Sequence, residues 1–313
     1  MTTHTSTAQR SSKYPTTIGI DVGGTGMKGG LVRLGSGPKA GTLRGDRFRI
    51  PTPQPAMPEP VAATLAAITA ELDGREKAPK PSAPLGVCFP SIVKDGVCLS
   101  ANNIDHTWIG TDLRGTFEEH LRRPVTVVND ADAAGLAEAR YGAGRGVRGL
   151  VHVITLGTGI GGGLVVEGHT LKGALHPEIG HLFVRRAPGD VQPSACPFHE
   201  DCAEGLAAGP AVQARLAGRR LEDASEVRAV VADYLGQLVA ALIFAWAPDR
   251  IVFGGGVMST PGLLAEVEAA ARRAVAGYGS VAVMGSEGYL VPAALEHAGL
   301  EGALLMARDV ARL

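Results

Sequence analysis

The chain has 313 residues, of which 45% are hydrophobic, and its formal net charge is −1. This length and composition allow one large globular domain or two of ordinary size, and the charge favours neither nucleic acid nor a membrane surface as a partner. Residues 1–15 are polar, rich in Ser and Thr and without an apolar stretch, so we expect a disordered tail and no signal peptide. The longest apolar stretch, 238–248, is too short to span a bilayer, which predicts a cytoplasmic protein.

The first notable stretch is a glycine turn that directly follows a predicted strand. The turn presents bare backbone N–H groups, a hydroxyl, a positive charge and a carboxylate that could hold a hydrated Mg²⁺. These candidate phosphate- and magnesium-binding residues are Asp21, Gly23, Gly24, Thr25 and Lys28. Taken alone, the same stretch is also compatible with an ordinary β-hairpin turn.

Further predicted elements follow in chain order. They are strands over 29–34 and 42–50, a proline-rich loop over 51–60, a helix over 61–72 closed by Gly74, and buried strands over 85–89 and 125–128. Asn129 and Asp130 stand between the last of these strands and a helix over 133–141. Asp130 is compatible with a helix N-cap and with a catalytic carboxylate at the carboxyl end of a strand.

Two more glycine turns follow predicted strands, over 150–156 and 250–253. Their candidate phosphate-binding residues are Gly157, Thr158, Gly159, Gly161, Gly254, Gly255 and Gly256. A long helix over 226–246 precedes the third turn, a helix from about 261 follows it, and a last helix covers 300–310. Because the strand–glycine–strand pattern opens each half of the chain, we expect an α/β fold in which two domains of similar plan face one cleft.

The four cysteines form two different groups. Cys88 and Cys98 lie in apolar, strand-like surroundings and are predicted to be buried core residues. Cys196, His199 and Cys202 are separated by two-residue gaps and are preceded by His181, a set that fits a structural, tetrahedral Zn²⁺ site with no open position. His176 is the alternative fourth ligand. One nitrogen of His181 would bind the metal while the other faces the substrate.

Together these motifs resemble the ROK family of sugar kinases. The resemblance rests on Asp21-Val-Gly-Gly-Thr, Asn129-Asp130, Gly157-Thr-Gly-Ile-Gly, Glu178-Ile-Gly-His181 and Gly254-Gly-Gly-Val, and it runs from about residue 18 to the last helix. It implies an actin-like ATPase (ribonuclease H-like) fold. The small α/β domain would comprise 16–130 plus 296–313, and the large domain 131–295 would carry the zinc loop.

The resemblance also implies roles for individual residues. Asp130 would be the catalytic base that takes the proton from the primary sugar hydroxyl. The sugar would be bound by Asn103, Asn129, Asp130, Glu178, His181 and Glu204. Ser91 stands where the glucokinases of the family usually have glycine, a difference that could alter the sugar pocket.

The implied activity is the phosphorylation of a hexose at its 6-hydroxyl with ATP and Mg²⁺, with glucose expected first and fructose or mannose next. The N-terminal half resembles polyphosphate/ATP glucokinases and the C-terminal half resembles zinc-bearing fructokinases, so polyphosphate is the alternative donor. The cysteine cluster, which the polyphosphate-type relatives lack, favours ATP. Some family members are repressors with an N-terminal helix-turn-helix, and the short stretch before residue 16 disfavours that class. Relatives are commonly dimers or tetramers, so a homodimer or homotetramer is expected.

Overall fold

The computed structural model describes residues 16–33, 43–101 and 104–310. The predicted tail over 1–15 and the predicted sugar ligand Asn103 lie outside the described residues. Within them, two five-stranded sheets dominate the fold.

The first sheet has the strand order β3-β2-β1-β4-β7. Its strands are β1 Thr16–Val22, β2 Gly26–Arg33, β3 Leu43–Pro51, β4 Leu85–Phe89 and β7 Val125–Asn129. Strands β1 and β2 are antiparallel, whereas β1, β4 and β7 run parallel. A separate small hairpin is formed by β5 Val93–Lys94 and β6 Val97–Cys98. The parallel strands therefore end together at one edge, where Asp21 and Asn129 lie.

The second sheet repeats this plan with the order β10-β9-β8-β11-β12. Its strands are β8 Leu150–Leu156, β9 Ile160–Val166, β10 His169–Thr170, β11 Arg250–Gly254 and β12 Leu290–Pro292. Again an antiparallel hairpin, β8–β9, is followed by parallel neighbours, β8–β11–β12. The two sheets confirm the predicted α/β architecture with two halves of one plan.

Eight α-helices cover these sheets within the described part of the chain. They are α1 Pro58–Asp73, α2 Leu113–Leu121, α3 Asp130–Tyr141, α4 Ala203–Ala207, α5 Gly209–Leu216, α6 Ser225–Trp246, α7 Leu263–Val275 and α8 Ala298–Val310. Helix α1 starts with a proline in its first turn, ends at Gly74 as predicted, and buries Val61, Leu65, Ile68 and Leu72. Helix α6 is long and apolar enough to cross a bilayer, but more than half of its apolar window is buried against the core.

Helices α3 and α8 pack against each other and connect the two sheets. Helix α3 lies on β8 and β9, whereas α8 lies on β1, β4 and β7. Their backbones approach closely, because a Cβ added at Gly302 would lie 1.7 Å from the Ala133 carbonyl oxygen. The domain boundaries given above stay a prediction.

Candidate functional site

A cleft of about 540 Å³ lies between the two sheets and is lined by residues from all three glycine turns. Of the predicted ligands, the cleft brings together Asp21, Gly23, Gly24, Thr25, Lys28, Asn129, Asp130, Gly157, Thr158, Gly159, Gly161, Glu178, His181, Glu204, Gly254 and Gly255. Gly256 instead lines a neighbouring cavity of about 370 Å³. The third turn thus contributes to both cavities.

The first turn presents a charged pair beside its glycines. Asp21 ends β1 and its carboxylate lies 3.5 Å from the Lys28 ammonium, directly across the β1–β2 hairpin. Burial raises the pKa of Asp21 above its usual value, and Lys28 opposes that shift. A partly buried carboxylate oxygen at a strand end fits the oxygen-ligand preference of Mg²⁺.

The proline-rich loop holds the backbone of this turn through hydrogen bonds to its carbonyl groups. The Thr52 side chain donates to the Gly23 carbonyl at 2.5 Å, and the Gln54 amide donates to the Gly24 carbonyl at 2.9 Å. The Thr52 backbone N–H donates to the Thr25 carbonyl. Because these carbonyls are engaged on the loop side, the turn is held in one orientation at the cleft.

The other two turns need glycine for steric reasons. Gly255 has φ +99°, and a Cβ there would lie 2.1 Å from the Leu156 carbonyl oxygen. A Cβ at Gly161 would lie 2.7 Å from the Ala131 Cβ. At both positions neighbouring atoms leave no room for a Cβ, and neither turn carries a charged side chain.

Asp130 is the first residue of α3, directly after the carboxyl end of β7. Its carboxyl lines the cleft, and burial together with the nearby Asp21 charge raises its pKa to about 6. The helix cap is not Asp130 but Asn129, whose Oδ1 accepts from the N–H groups of Ala131 and Asp132. The N-cap alternative for Asp130 is thus wrong, and α3 begins earlier than predicted because Asn129 caps it.

The Asn129 side chain is largely engaged by the protein. Besides capping α3, its Nδ2 donates to the Ser91 carbonyl at 3.0 Å. One amide hydrogen remains for a ligand. The Ser91 hydroxyl, in turn, donates to the Ile92 carbonyl and contacts the Cys98 sulfur 2.9 Å away, so it is engaged by the β5–β6 hairpin.

A second group of polar side chains comes from the segment after β10 and from α4. His176 is buried, and its Nε2 lies 2.7 Å from a Glu178 carboxylate oxygen. Glu204 accepts from the Ile160 backbone N–H at 2.9 Å, and its other oxygen lies 3.9 Å from His181 Nε2. Glu204 therefore connects the second glycine turn with this histidine.

Four potential metal ligands converge next to that group. The ligand atoms of His181, Cys196, His199 and Cys202 all lie within 4.8 Å of one another. Cys196 Sγ lies 3.7 Å from the Nδ1 atoms of both histidines, close to the edge of about 3.6 Å that a tetrahedral zinc site has between sulfur and nitrogen. The Nε2 atom of His181 is left for the cleft side, whereas His176 lies outside the cluster.

Sequence reasoning missed several residues that line the cleft. The sequence indicates His176 only as an alternative metal ligand, and it predicts no site role for Arg49 or Ser100. Arg49 is aligned with Lys28 across the β2–β3 pair, a register that the residue pattern does not reveal. The only signal in the sequence is that Arg49 lies in the predicted strand over 42–50.

Comparison with known proteins identifies the family. The ROK family profile matches residues 17–310, and the chain belongs to the ROK family. The polyphosphate glucokinase of Mycobacterium tuberculosis is 46% identical over 187 residues, which cover 58% of this chain and 65% of the relative. A fructokinase (putative) of Bacillus subtilis is 36% identical, covering 62% of this chain and 66% of the relative. These matches span just under two thirds of each relative.

A solved structure matches over nearly the whole length. The inorganic polyphosphate/ATP-glucomannokinase from Arthrobacter sp. strain KM is 38% identical, with a TM-score of 0.70, covering 94% of this chain and 99% of that protein. The fold is thus the actin-like ATPase fold of ROK sugar kinases, and both the predicted family and the predicted fold are confirmed.

Proposed function

We propose that the protein phosphorylates a hexose at its 6-hydroxyl, with ATP and Mg²⁺ as the donor and glucose as the first acceptor to test. The observation that carries this proposal is the position of Asp130. Its carboxyl has a pKa raised to about 6 and shares the cleft with the charged turn around Asp21 and with Glu178. A base of that pKa is ionised near neutral pH and can still accept a proton effectively.

In this proposal one set of residues acts on the sugar and another set binds the phosphate donor. Asp130 accepts the proton of the sugar 6-hydroxyl as that oxygen bonds to the γ-phosphorus of ATP. The bond between this phosphorus and the β,γ-bridging oxygen breaks, and ADP leaves. Glu178, His181, Glu204 and Asn129 bind the other hydroxyls, with Asn129 offering its one remaining amide hydrogen. Positioning of this kind supplies much of the rate in phosphoryl transfer.

The donor side is formed by the three glycine turns. Their backbone N–H groups and Thr25 would bind the phosphates, Lys28 would neutralise charge, and Asp21 would hold the hydrated Mg²⁺. Mg²⁺ would supply charge neutralisation of the transferred phosphoryl group. We propose that the neighbouring cavity, lined by Gly256 and Val257, receives the base of the nucleotide, because it adjoins the third turn.

We also propose that Zn²⁺ occupies the Cys/His cluster in a structural role. Four protein ligands leave no position for a reacting water, so the metal would only fix the segment that carries His181. A homodimer or homotetramer and a cytoplasmic location complete the proposal.

Polyphosphate is the second candidate donor, and fructose and mannose are further candidate acceptors. The names of the Mycobacterium, Bacillus and Arthrobacter relatives support both alternatives. The test is a panel of glucose, fructose, mannose and N-acetylhexosamines with ATP–Mg²⁺ or polyphosphate. Turnover of glucose with ATP is the expected result, and no turnover of any hexose with either donor would overturn the proposal.

A further inference from the structure

Three charged residues form a row across the first sheet, leading from the cleft to the sheet edge. Asp21 on β1 is paired in register with Lys28 on β2, and Lys28 is paired with Arg49 on β3. Residues that are directly opposite in a sheet project to the same face. Since adjacent strands are about 4.8 Å apart, Arg49 stands about 10 Å from Asp21.

Arg49 is the cation of this row for which the described residues provide no partner. Lys28 is bound to Asp21, whereas Arg49 has neither a hydrogen bond nor an ion pair within the described part of the chain. Its guanidinium lies over Gly26, where an added Cβ would come within 3.1 Å of both Nε and Nη2. The glycine turn thus leaves room for the guanidinium at the mouth of the cleft.

Arg47 continues the row beyond Arg49 on the same strand. Its guanidinium lies 3.3 Å from the Glu296 carboxylate and also contacts His297. Glu296 is largely exposed, so this pair is solvated and weakly held. Two carboxylates, Asp21 and Glu296, therefore face three cations along the row.

This row and the cavity at Gly256 lie on different halves of the molecule. That cavity belongs to the second-sheet half, whereas Lys28, Arg49 and Arg47 belong to the edge of the first sheet. A donor whose last phosphoryl group reaches the glycine turns can therefore extend towards either half. An uncharged base suits the cavity, and a chain of phosphates suits a row of cations.

We propose that Lys28, Arg49 and Arg47 bind the distal phosphates of inorganic polyphosphate, so that a linear polyphosphate serves as a donor through this side of the cleft. The inference rests on the hexose kinase function proposed above. In the transfer, the bond between the terminal phosphorus and its bridging oxygen breaks and a bond to the sugar 6-oxygen forms. The shortened polyphosphate leaves, and the hydroxyl proton goes to Asp130.

The test compares Arg49→Gln with Arg44→Gln, which removes the same charge from the same strand outside the cleft. Glucose phosphorylation is measured with long-chain polyphosphate and with ATP, and the quantity compared is the ratio of the two kcat/KM values. Loss of one charge-assisted phosphate contact should lower this ratio about tenfold in Arg49→Gln, while Arg44→Gln keeps the parent ratio. Arg49→Lys should recover part of it.

The possible failures are distinguishable. An equal fall with both donors would mean that Arg49 serves the terminal phosphoryl group. A parent that uses ATP but not polyphosphate would mean that the row of cations does not bind a polyphosphate donor. Either result overturns this inference and leaves the kinase proposal standing. If no hexose is phosphorylated with either donor, the kinase proposal fails. Calorimetry can then still test the row of cations by measuring the affinity of long-chain polyphosphate for the parent and for Arg49→Gln. Equal affinities would overturn the proposal that Arg49 binds polyphosphate.

Discussion

The two sheets share one strand order, yet they bring charge to the cleft by different means. In the first half, Asp21 and Lys28 stand on paired strands, and Asp130 begins a helix directly after a strand. In the second half, the two glycine turns are uncharged, and Glu178 and His181 come from the irregular stretch between β10 and α4. Side chains on a sheet are positioned by backbone pairing, whereas those on the long segment need another support, which the Cys/His cluster would supply.

Asp130→Asn tests the first half, in which strand pairing positions the side chains, and it should have the largest effect. Loss of the proposed base should lower kcat about 10³-fold while sugar binding persists, because the amide keeps the shape of the side chain. Turnover and equilibrium glucose binding are the measurements. The matched control is Asp95→Asn, in the exposed β5–β6 turn at φ +53°, a conformation that asparagine tolerates. A near-parental kcat in Asp130→Asn would remove this residue from the role of base.

Cys196→Ser tests the segment between β10 and α4, which carries Glu178 and His181. Loss of a ligand should release the metal and disorder the loop that carries His181, lowering kcat/KM for the sugar about 10- to 100-fold. Elemental analysis should find close to one zinc per chain in the parent and none in the variant. Cys98→Ser, which changes a thiol in the β5–β6 hairpin, should keep the zinc. A parent that binds no zinc would contradict the four-ligand interpretation.

The dependence of kcat/KM on pH distinguishes a carboxyl with an ordinary pKa from one whose pKa is raised by burial. The pKa of Asp130 is raised from 3.8 to about 6, so the active carboxylate form is lost as pH falls through 6. With that pKa, kcat/KM at pH 5 should be about one tenth of its value at pH 7. An acid limb near pH 4 instead would show that the carboxyl is not buried in the way described. Asp130→Asn should lack this limb in its residual activity.

The sequence was sufficient for the features that depend on local spacing. The glycine turns, the strands before them and the Cys–His–Cys spacing were recognised because each is encoded within about ten neighbouring residues. The cap at Asn129 was missed because both Asn129 and Asp130 favour helix starts, and only backbone geometry separates them.

Features that depend on long-range pairing were out of reach. The alignment of Arg49 with Lys28 is set by the register between β2 and β3, which includes a bulge between Gly29 and Leu31. The contact of His176 with Glu178 depends on an irregular segment without periodicity. Such juxtapositions follow from the folded backbone and not from residue spacing.

The smallest expected effect concerns the contact between the second sheet and helix α3. Gly163 on β9 packs against α3, and a Cβ there would lie 2.4 Å from the Ala131 carbonyl oxygen and 2.8 Å from the Gly135 Cα. Gly163→Ala should therefore lower the free energy of unfolding by about 1–3 kcal/mol, because neither backbone can move freely. Gly157→Ala is the matched control, since a Cβ at that position meets no atom of the described residues within 4 Å.

Chemical denaturation of both variants is the measurement, with glucose phosphorylation measured alongside. Because Ala131 follows Asp130, displacement of α3 by Gly163→Ala should also lower kcat, whereas Gly157→Ala should affect donor binding more than stability. Equal stability of the two variants would mean that α3 can move away from β9 without cost. In that case the position of Asp130, the proposed base, does not depend on close packing between Gly163 and α3.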